Sequence, residues 1–223
     1  TSYWIYKALE NEDFMWIAAL GSIADWNIPE FFDDFKAKYP GLIDSQKNPP
    51  EILFESRFGE LIKMLSFLLK GKTDDVRTNV SIISKIKDPY EILEQKTSKG
   101  KFLYKNCLRI KKQYDELLEK ALKIEPDGKI FLFVYPSTRM SFTSELSNEL
   151  IYKYPDKLII VGREKGDEIK MSLRSTKIIL PPILEKALVN VKGYGGGHDN
   201  AVGSNVAVDD FKTFIDNIKN QIK

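Results

Sequence analysis

Three short stretches hold the residue types that do chemistry. GYGGGHDNAVG (193–203) places the chain's only histidine, His198, directly after Gly195, Gly196 and Gly197. Consecutive glycines let a backbone take positive φ and approach a ligand with no Cβ in the way. Successive N–H groups can then converge on one anion, with His198 adding a donor or a positive charge. Three readings compete for this stretch: a phosphate cradle, a metal site, or a tight turn with an incidental histidine. The metal reading is the poorest, because there is no second histidine and Asp199 alone completes no shell. The spacing is not a dinucleotide fingerprint, and no Gly-Lys-Ser/Thr follows to make a P-loop.

The second stretch is MSLRSTK (171–177). An arginine fork pairs bidentately with phosphate or carboxylate, and Ser172 and Ser175 flank Arg174 with two more donors. An edge-strand arginine on a solvated face is the plainer reading. Two anion-seeking elements close together in the sequence favour one phosphate or nucleotide site. The third stretch, ALGSIADW (19–26), sets Asp25 after a turn of small residues in an otherwise apolar segment. It reads as a helix-capping aspartate or as a single metal-ligating carboxylate. A two-metal site needs several such ligands, and no histidine lies near Asp25 in the sequence.

The elements that must position these residues differ along the chain. The first third reads as helix after helix. In RFGELIKMLSFLLK (57–70), Phe58, Leu61, Ile62, Leu65, Leu68 and Leu69 share one face. From Gly100 to Leu122 a long amphipathic helix is expected, since Phe102, Leu103, Cys107, Ile110, Tyr114, Leu117, Leu118 and Ala121 recur at three- and four-residue steps. The character changes between 121 and 129. KIFLFVYPS (129–137) reads as a buried strand, and FTSELSNELIYKYP (142–155) as a helix. Residues 156–175 read as a hairpin around Lys-Gly-Asp, and a helix is expected from the prolines at 181 and 182. The glycine stretch reads as a loop running into a helix or strand, before a closing amphipathic helix. Strands alternating with helices make a small α/β domain of the last hundred residues.

Composition excludes several classes. With 43% hydrophobic and 30% charged residues, the chain is ordinary globular material, and no apolar run approaches the ~20 residues that span a bilayer. The net charge of +2 names no partner, but its distribution is uneven. Residues 1–84 carry 9 basic and 13 acidic side chains; residues 85–123 carry 11 and 6. The middle segment is therefore the basic one, either a solvated helix face or a surface for a phosphate backbone. The single cysteine, Cys107, rules out an intrachain disulfide, and a free thiol suits the cytoplasm.

Together the three stretches resemble the DHH phosphoesterase family, and within it an archaeal RecJ-like exonuclease. SLRS and GGGHDNAVG are similar to two hallmarks of that family's second domain, DHHA1, which closes over the substrate. The resemblance implies that Ser172, Arg174, Ser175, Gly195, Gly196, Gly197 and His198 meet substrate phosphate. LGSIADW is similar to the last motif of the catalytic domain, which implies Asp25 as a ligand of Mn²⁺ or Mg²⁺. Ala201-Val202 departs mildly from the family's Ala-Ala. A larger departure is that no Asp-His-His occurs, nor the catalytic domain's earlier aspartates.

The implied α/β architecture is the helical tail of a DHH-type domain over 1–95, a connecting helix over 96–123 and a DHHA1-like substrate-binding domain over 124–223. The implied whole is a longer metal-dependent phosphodiesterase, foremost a single-strand-specific 5′ exonuclease. The metal would bind only in that parent, and this part alone would be inactive. Implied partners are single-stranded DNA or RNA, with GINS or other replication proteins, and no membrane. Three alternatives stay open: an inactive replication scaffold that partners GINS, a short-oligonucleotide or nucleotide phosphatase, and a nucleic-acid-binding module without chemistry.

Overall fold

The computed structural model describes residues 1–9, 11–137 and 140–222. They divide into two compact units, Thr1–Gln113 and Tyr114–Lys223.

The first unit is helical: α1 (Ser2–Leu9), α2 (Met15–Ala24), α3 (Phe32–Lys38), α4 (Pro49–Glu55), α5 (Arg57–Leu68), α6 (Thr73–Ile83), α7 (Tyr90–Leu93) and the first part of α8 (Ser98–Leu122). Local chemistry sets the starts. Asn48 Oδ1 accepts the Glu51 N–H at 3.0 Å, while Glu51 accepts from the Lys47 N–H at 2.9 Å, so α4 begins on a reciprocal cap with proline in its first turn. Ser56 Oγ caps α5 through the Gly59 N–H at 3.0 Å. The apolar face read in residues 57–70 is the buried one, apart from Leu69 at its end: Phe58, Leu61 and Leu68 have no exposed surface, and Leu69 is exposed. Trp16, Ile23, Phe35 and Ile52 are buried with them.

The second unit is a five-stranded sheet with helices on both faces. Its elements are β1 (Ile130–Pro136), α9 (Thr143–Lys153), β2 (Leu158–Lys165), β3 (Glu168–Arg174), α10 (Leu180–Ala187), β4 (Gly193–His198), β5 (Ala201–Ala207) and α11 (Phe211–Lys219). The strand order is β1-β2-β3-β5-β4, with β1 parallel to β2 and every other pair antiparallel. The parallel pair needs a crossover, and α9 is it. The β2–β3 turn is Gly166-Asp167, with Gly166 at φ +61, as the Lys-Gly-Asp signal implies.

One face of this sheet is covered along its length. Ile160, Ile169, Met171, Leu173, Val202 and Val206 pack beneath α10 and α11, against Leu184, Phe214 and Ile218. The opposite face is covered in part. Helix α9 packs on β2 and β3, and Tyr114, in the second half of α8, donates to Glu149 Oε2 of α9 at 2.7 Å. Over β5 and β4 that same face is open: Gly203 and all of β4 are exposed.

Candidate functional site

The glycine stretch is not the loop expected from its composition. GYGGGH is strand β4, and it forms a hairpin with β5 through the two-residue tip Asp199-Asn200. Glycine is a poor strand former. Four glycines in β4 cost roughly 0.5–1 kcal/mol each relative to alanine. Burying Val202 and Val206 of β5 stabilises by roughly 1.5–3 kcal/mol each, enough to hold the hairpin. In a strand, successive N–H groups point to opposite edges, so the glycines build no converging nest of donors. Of the four, only Gly197 has positive φ, +153.

What the glycines supply instead is a surface without side chains. The register places Val161, Ser172, Gly203 and Gly196 in one row across β2, β3, β5 and β4. The next row is Ile159, Arg174, Ala201 and His198. Since residues two apart share a face, Ser172, Arg174, His198, Gly196 and Gly203 all belong to the half-open face. A Cβ on Gly196 would meet nothing within 4 Å, and one on Gly203 only the Met171 carbonyl oxygen at 3.8 Å. The result is a floor of bare backbone, with Arg174 and His198 two strand spacings, about 10 Å, apart at one end.

Helix α9 forms the wall beside this floor. Arg174 Nε donates to Asn148 Oδ1 of α9 at 2.9 Å, and Nη1 donates to the Leu173 carbonyl at 2.9 Å. These bonds fix the plane of the fork, and among the described residues Nη2 is unengaged. Burial pushes the pKa of Arg174 down, and among the described residues no carboxylate pairs with it. The guanidinium still stays charged. A half-buried cation without a counter-ion favours an incoming anion. The Ser144 and Ser172 hydroxyls meet at 3.4 Å beside it, in the first turn of α9, where the helix dipole is positive. The His198 side chain makes no hydrogen bond within the protein among the described residues.

Ser175 is placed differently from its neighbours. Its side chain is buried, and Oγ accepts the N–H groups of Lys177 and Ile178 at 3.1 and 3.0 Å. Its backbone exchanges bonds with the hairpin tip: Ser175 N–H to the Asn200 carbonyl at 3.1 Å, and Asn200 Nδ2 to the Ser175 carbonyl at 2.8 Å. Ser175 therefore ties the end of β3 to the turn that carries His198. Gly195 and Gly197 face α10 and the β5 backbone, not the open floor. A Cβ at Gly195 would stand 2.6 Å from the Gly203 carbonyl oxygen and 2.9 Å from Leu184, and one at Gly197 would collide with Ala201.

Four residues of the site stand outside the three sequence stretches or their expected roles: Ser144, Asn148, Asn200 and Gly203. Gly203 has a usable signal, because a hairpin centred on Asp199-Asn200 pairs it with Gly196. Asn148 has none, since its partner lies 26 residues away.

Asp25 belongs to the first unit. It is the last half-helical residue of α2, at the C-terminal end and not at the N-terminus where an aspartate caps. The helix closes in a Schellman motif: Trp26 N–H to Ile23 O at 2.9 Å, and Asn27 N–H to Ser22 O at 2.9 Å. Trp26 takes φ +60 there, a left-handed conformation costing an L-residue roughly 1–2 kcal/mol. A carboxylate at the negative end of the dipole is unfavourable as well. Asp25 is exposed beside Asn27 and the buried, unpartnered Ser22 hydroxyl, in a hollow of about 250 Å³. Among the described residues no three His, Cys, Asp or Glu side chains gather to hold a metal ion. The described residues by themselves do not fit a metal centre.

Comparison with known proteins matches the second unit to a domain family. Residues 127–223 match the DHHA1 domain model. The fold of nearly the whole chain is that of RecJ. RecJ from Thermus thermophilus in complex with Mg²⁺ aligns over 97% of this chain and 36% of its own, at 16% identity and a TM-score of 0.64. The same protein with Mn²⁺ gives 97%, 34%, 14% and 0.62. The DHH domain of a member of a ribosomal protein family aligns over 94% of this chain and 49% of its own, at 13% identity and a TM-score of 0.52. The chain thus spans about a third of the length of the RecJ structures. No curated protein matches it by sequence. Among the described residues, no helix is long and apolar enough to cross a membrane.

Proposed function

We propose that the DHHA1 domain grips the phosphorylated end of a single-stranded nucleic acid for a longer, metal-dependent phosphodiesterase, a 5′ exonuclease. The observation that carries this reading is Arg174. Its guanidinium is half-buried, oriented by Asn148, without a carboxylate partner, and set beside a floor that lacks side chains. A phosphate seated there takes Nη2 of Arg174 and the Ser172 hydroxyl on one side, and the His198 imidazole on the other. Bare backbone at Gly196 and Gly203 lets the sugar–phosphate chain lie against the sheet. Divalent metal, with which RecJ structures were solved, belongs in this reading to the parent's catalytic domain, and Asp25 supplies at most one of its ligands. The residues of this chain bind and orient the end; they do not activate water.

The test is binding of a 5′-phosphorylated single strand by wild type and R174A, followed by fluorescence anisotropy. Charge-assisted hydrogen bonds are worth about 1.5–3 kcal/mol, so R174A should weaken binding about 10- to 100-fold. Among the described residues the Arg174 side chain bonds only Asn148 and the Leu173 carbonyl, and circular dichroism of R174A checks that the fold survives the change. Equal affinity of the two proteins overturns the reading.

A further inference from the structure

The glycine floor has a second end. One row beyond Gly203 and Gly196, the register aligns Arg163, Lys170, Asn205 and Tyr194 on the same face. Tyr194 is 68% exposed, yet its ring does not hang past the sheet edge. Asn205, directly opposite on β5, donates from Nδ2 to the Tyr194 hydroxyl at 3.5 Å and to Glu168 Oε2 at 2.8 Å. Asn205 is itself buried. The hydroxyl therefore stands over β5, at the long limit of a hydrogen bond to Asn205, while most of the ring surface is exposed. His198 and Tyr194 are four residues apart on one strand, about 13 Å. One nucleoside monophosphate bridges that span.

Arg163 and Lys170 share the row of Tyr194, so it is the half-buried Arg174, oriented by Asn148 at the opposite end, together with the carboxylates past Tyr194, that decides which way round. Past Tyr194 lies a hollow of about 880 Å³ lined by Asp167, Glu168, Asp209 and Asp210, against only Lys165 and Lys192. Four carboxylates there repel a phosphate, whereas Arg174 at the opposite end attracts one. A nucleotide on the floor thus points its phosphate at Arg174 and His198 and its base at Tyr194.

We infer that Tyr194 is a base-stacking residue, so that the site recognises a terminal nucleotide and not a phosphate alone. The inference rests on the phosphate-gripping reading above. Stacking on an aromatic ring is sequence-tolerant, which suits an enzyme that consumes ends of any sequence.

The experiment uses two 5′-phosphorylated ten-residue oligothymidylates, one intact and one whose 5′-terminal residue is abasic. Each is titrated against wild type, Y194A, Y194F and R174A. Wild type should prefer the intact end about tenfold, within the range expected for one stacked base. Y194A should bind both strands as wild type binds the abasic one, and Y194F should restore the preference. R174A should lose affinity for both strands alike. A preference that survives in Y194A, or that wild type never shows while R174A still weakens binding, overturns the stacking role and leaves the phosphate grip standing. R174A equal to wild type on both strands removes the phosphate grip, and the stacking inference falls with it.

Discussion

On the α10 side of strand β4, glycine is demanded by the protein itself. Gly195 lies under Leu184 and the Gly203 carbonyl, and Gly197 combines positive φ with a clash against Ala201. On the opposite side nothing in the protein asks for glycine. Gly196 faces open space, and a side chain there would touch no neighbour within 4 Å. Adjacent positions of one run are thus bare in different settings: one set lets the hairpin close, and the other borders open space, where the proposed ligand would lie. Residue type alone does not separate structure from function in a glycine run; the alternation of the strand does.

Gly197→Ala is the strongest way to break this contrast. It should destabilise the second unit by about 2–4 kcal/mol, from left-handed strain and overpacking together, read from urea unfolding followed by circular dichroism. A loss under about 0.5 kcal/mol, the usual range of a neutral surface change, would place Gly197 with Gly196. Gly196→Ala is the complementary test. Its stability should rise by roughly 0.5–1 kcal/mol, the gain of alanine over glycine in a strand, while affinity for a 5′-phosphorylated single strand falls about tenfold, the loss of roughly one 1.4 kcal/mol contact. Intact binding in G196A would mean that the floor is unused.

The smallest effect probes the covered side at its rim. Asp127 accepts from Lys219 of α11 at 2.7 Å, and that hydrogen bond holds its carboxyl below the usual carboxylate range. A depressed pKa stabilises the fold above the unfolded value of about 4, and the contribution disappears as pH falls through the lower folded value. Asp127→Asn should therefore lower thermal stability slightly at pH 7 and not at all near pH 2. The site is exposed, so the difference is small. An unchanged gap between the two proteins across that pH range would mean the bond contributes nothing.

Local signals make most of the helices and strands legible in the sequence. The 57–70 face, the Lys-Gly-Asp turn and the β1–α9–β2 succession follow from periodicity and turn chemistry that neighbouring residues settle among themselves. The site is legible as a list of residues but not as an arrangement. Gly195 to Gly197 look like a loop because intrinsic preference argues against a strand there, and the burial of Val202 and Val206 overrides it. Arg174 is visible as an anion-seeking side chain. What aims it, Asn148, comes from tertiary pairing and has no footprint in the surrounding residues. Asp25 reads as a cap or a ligand, and its place at the wrong end of α2 becomes apparent only with the helix in view.

The paired bonds between Ser175 and Asn200 have a consequence for binding. They lock the end of the strand bearing Arg174 to the turn beside His198, so neither can drift without the other. The spacing of the two backbones is set during folding, so the proposed ligand would have only the His198 ring left to order, and less freedom would be lost on binding.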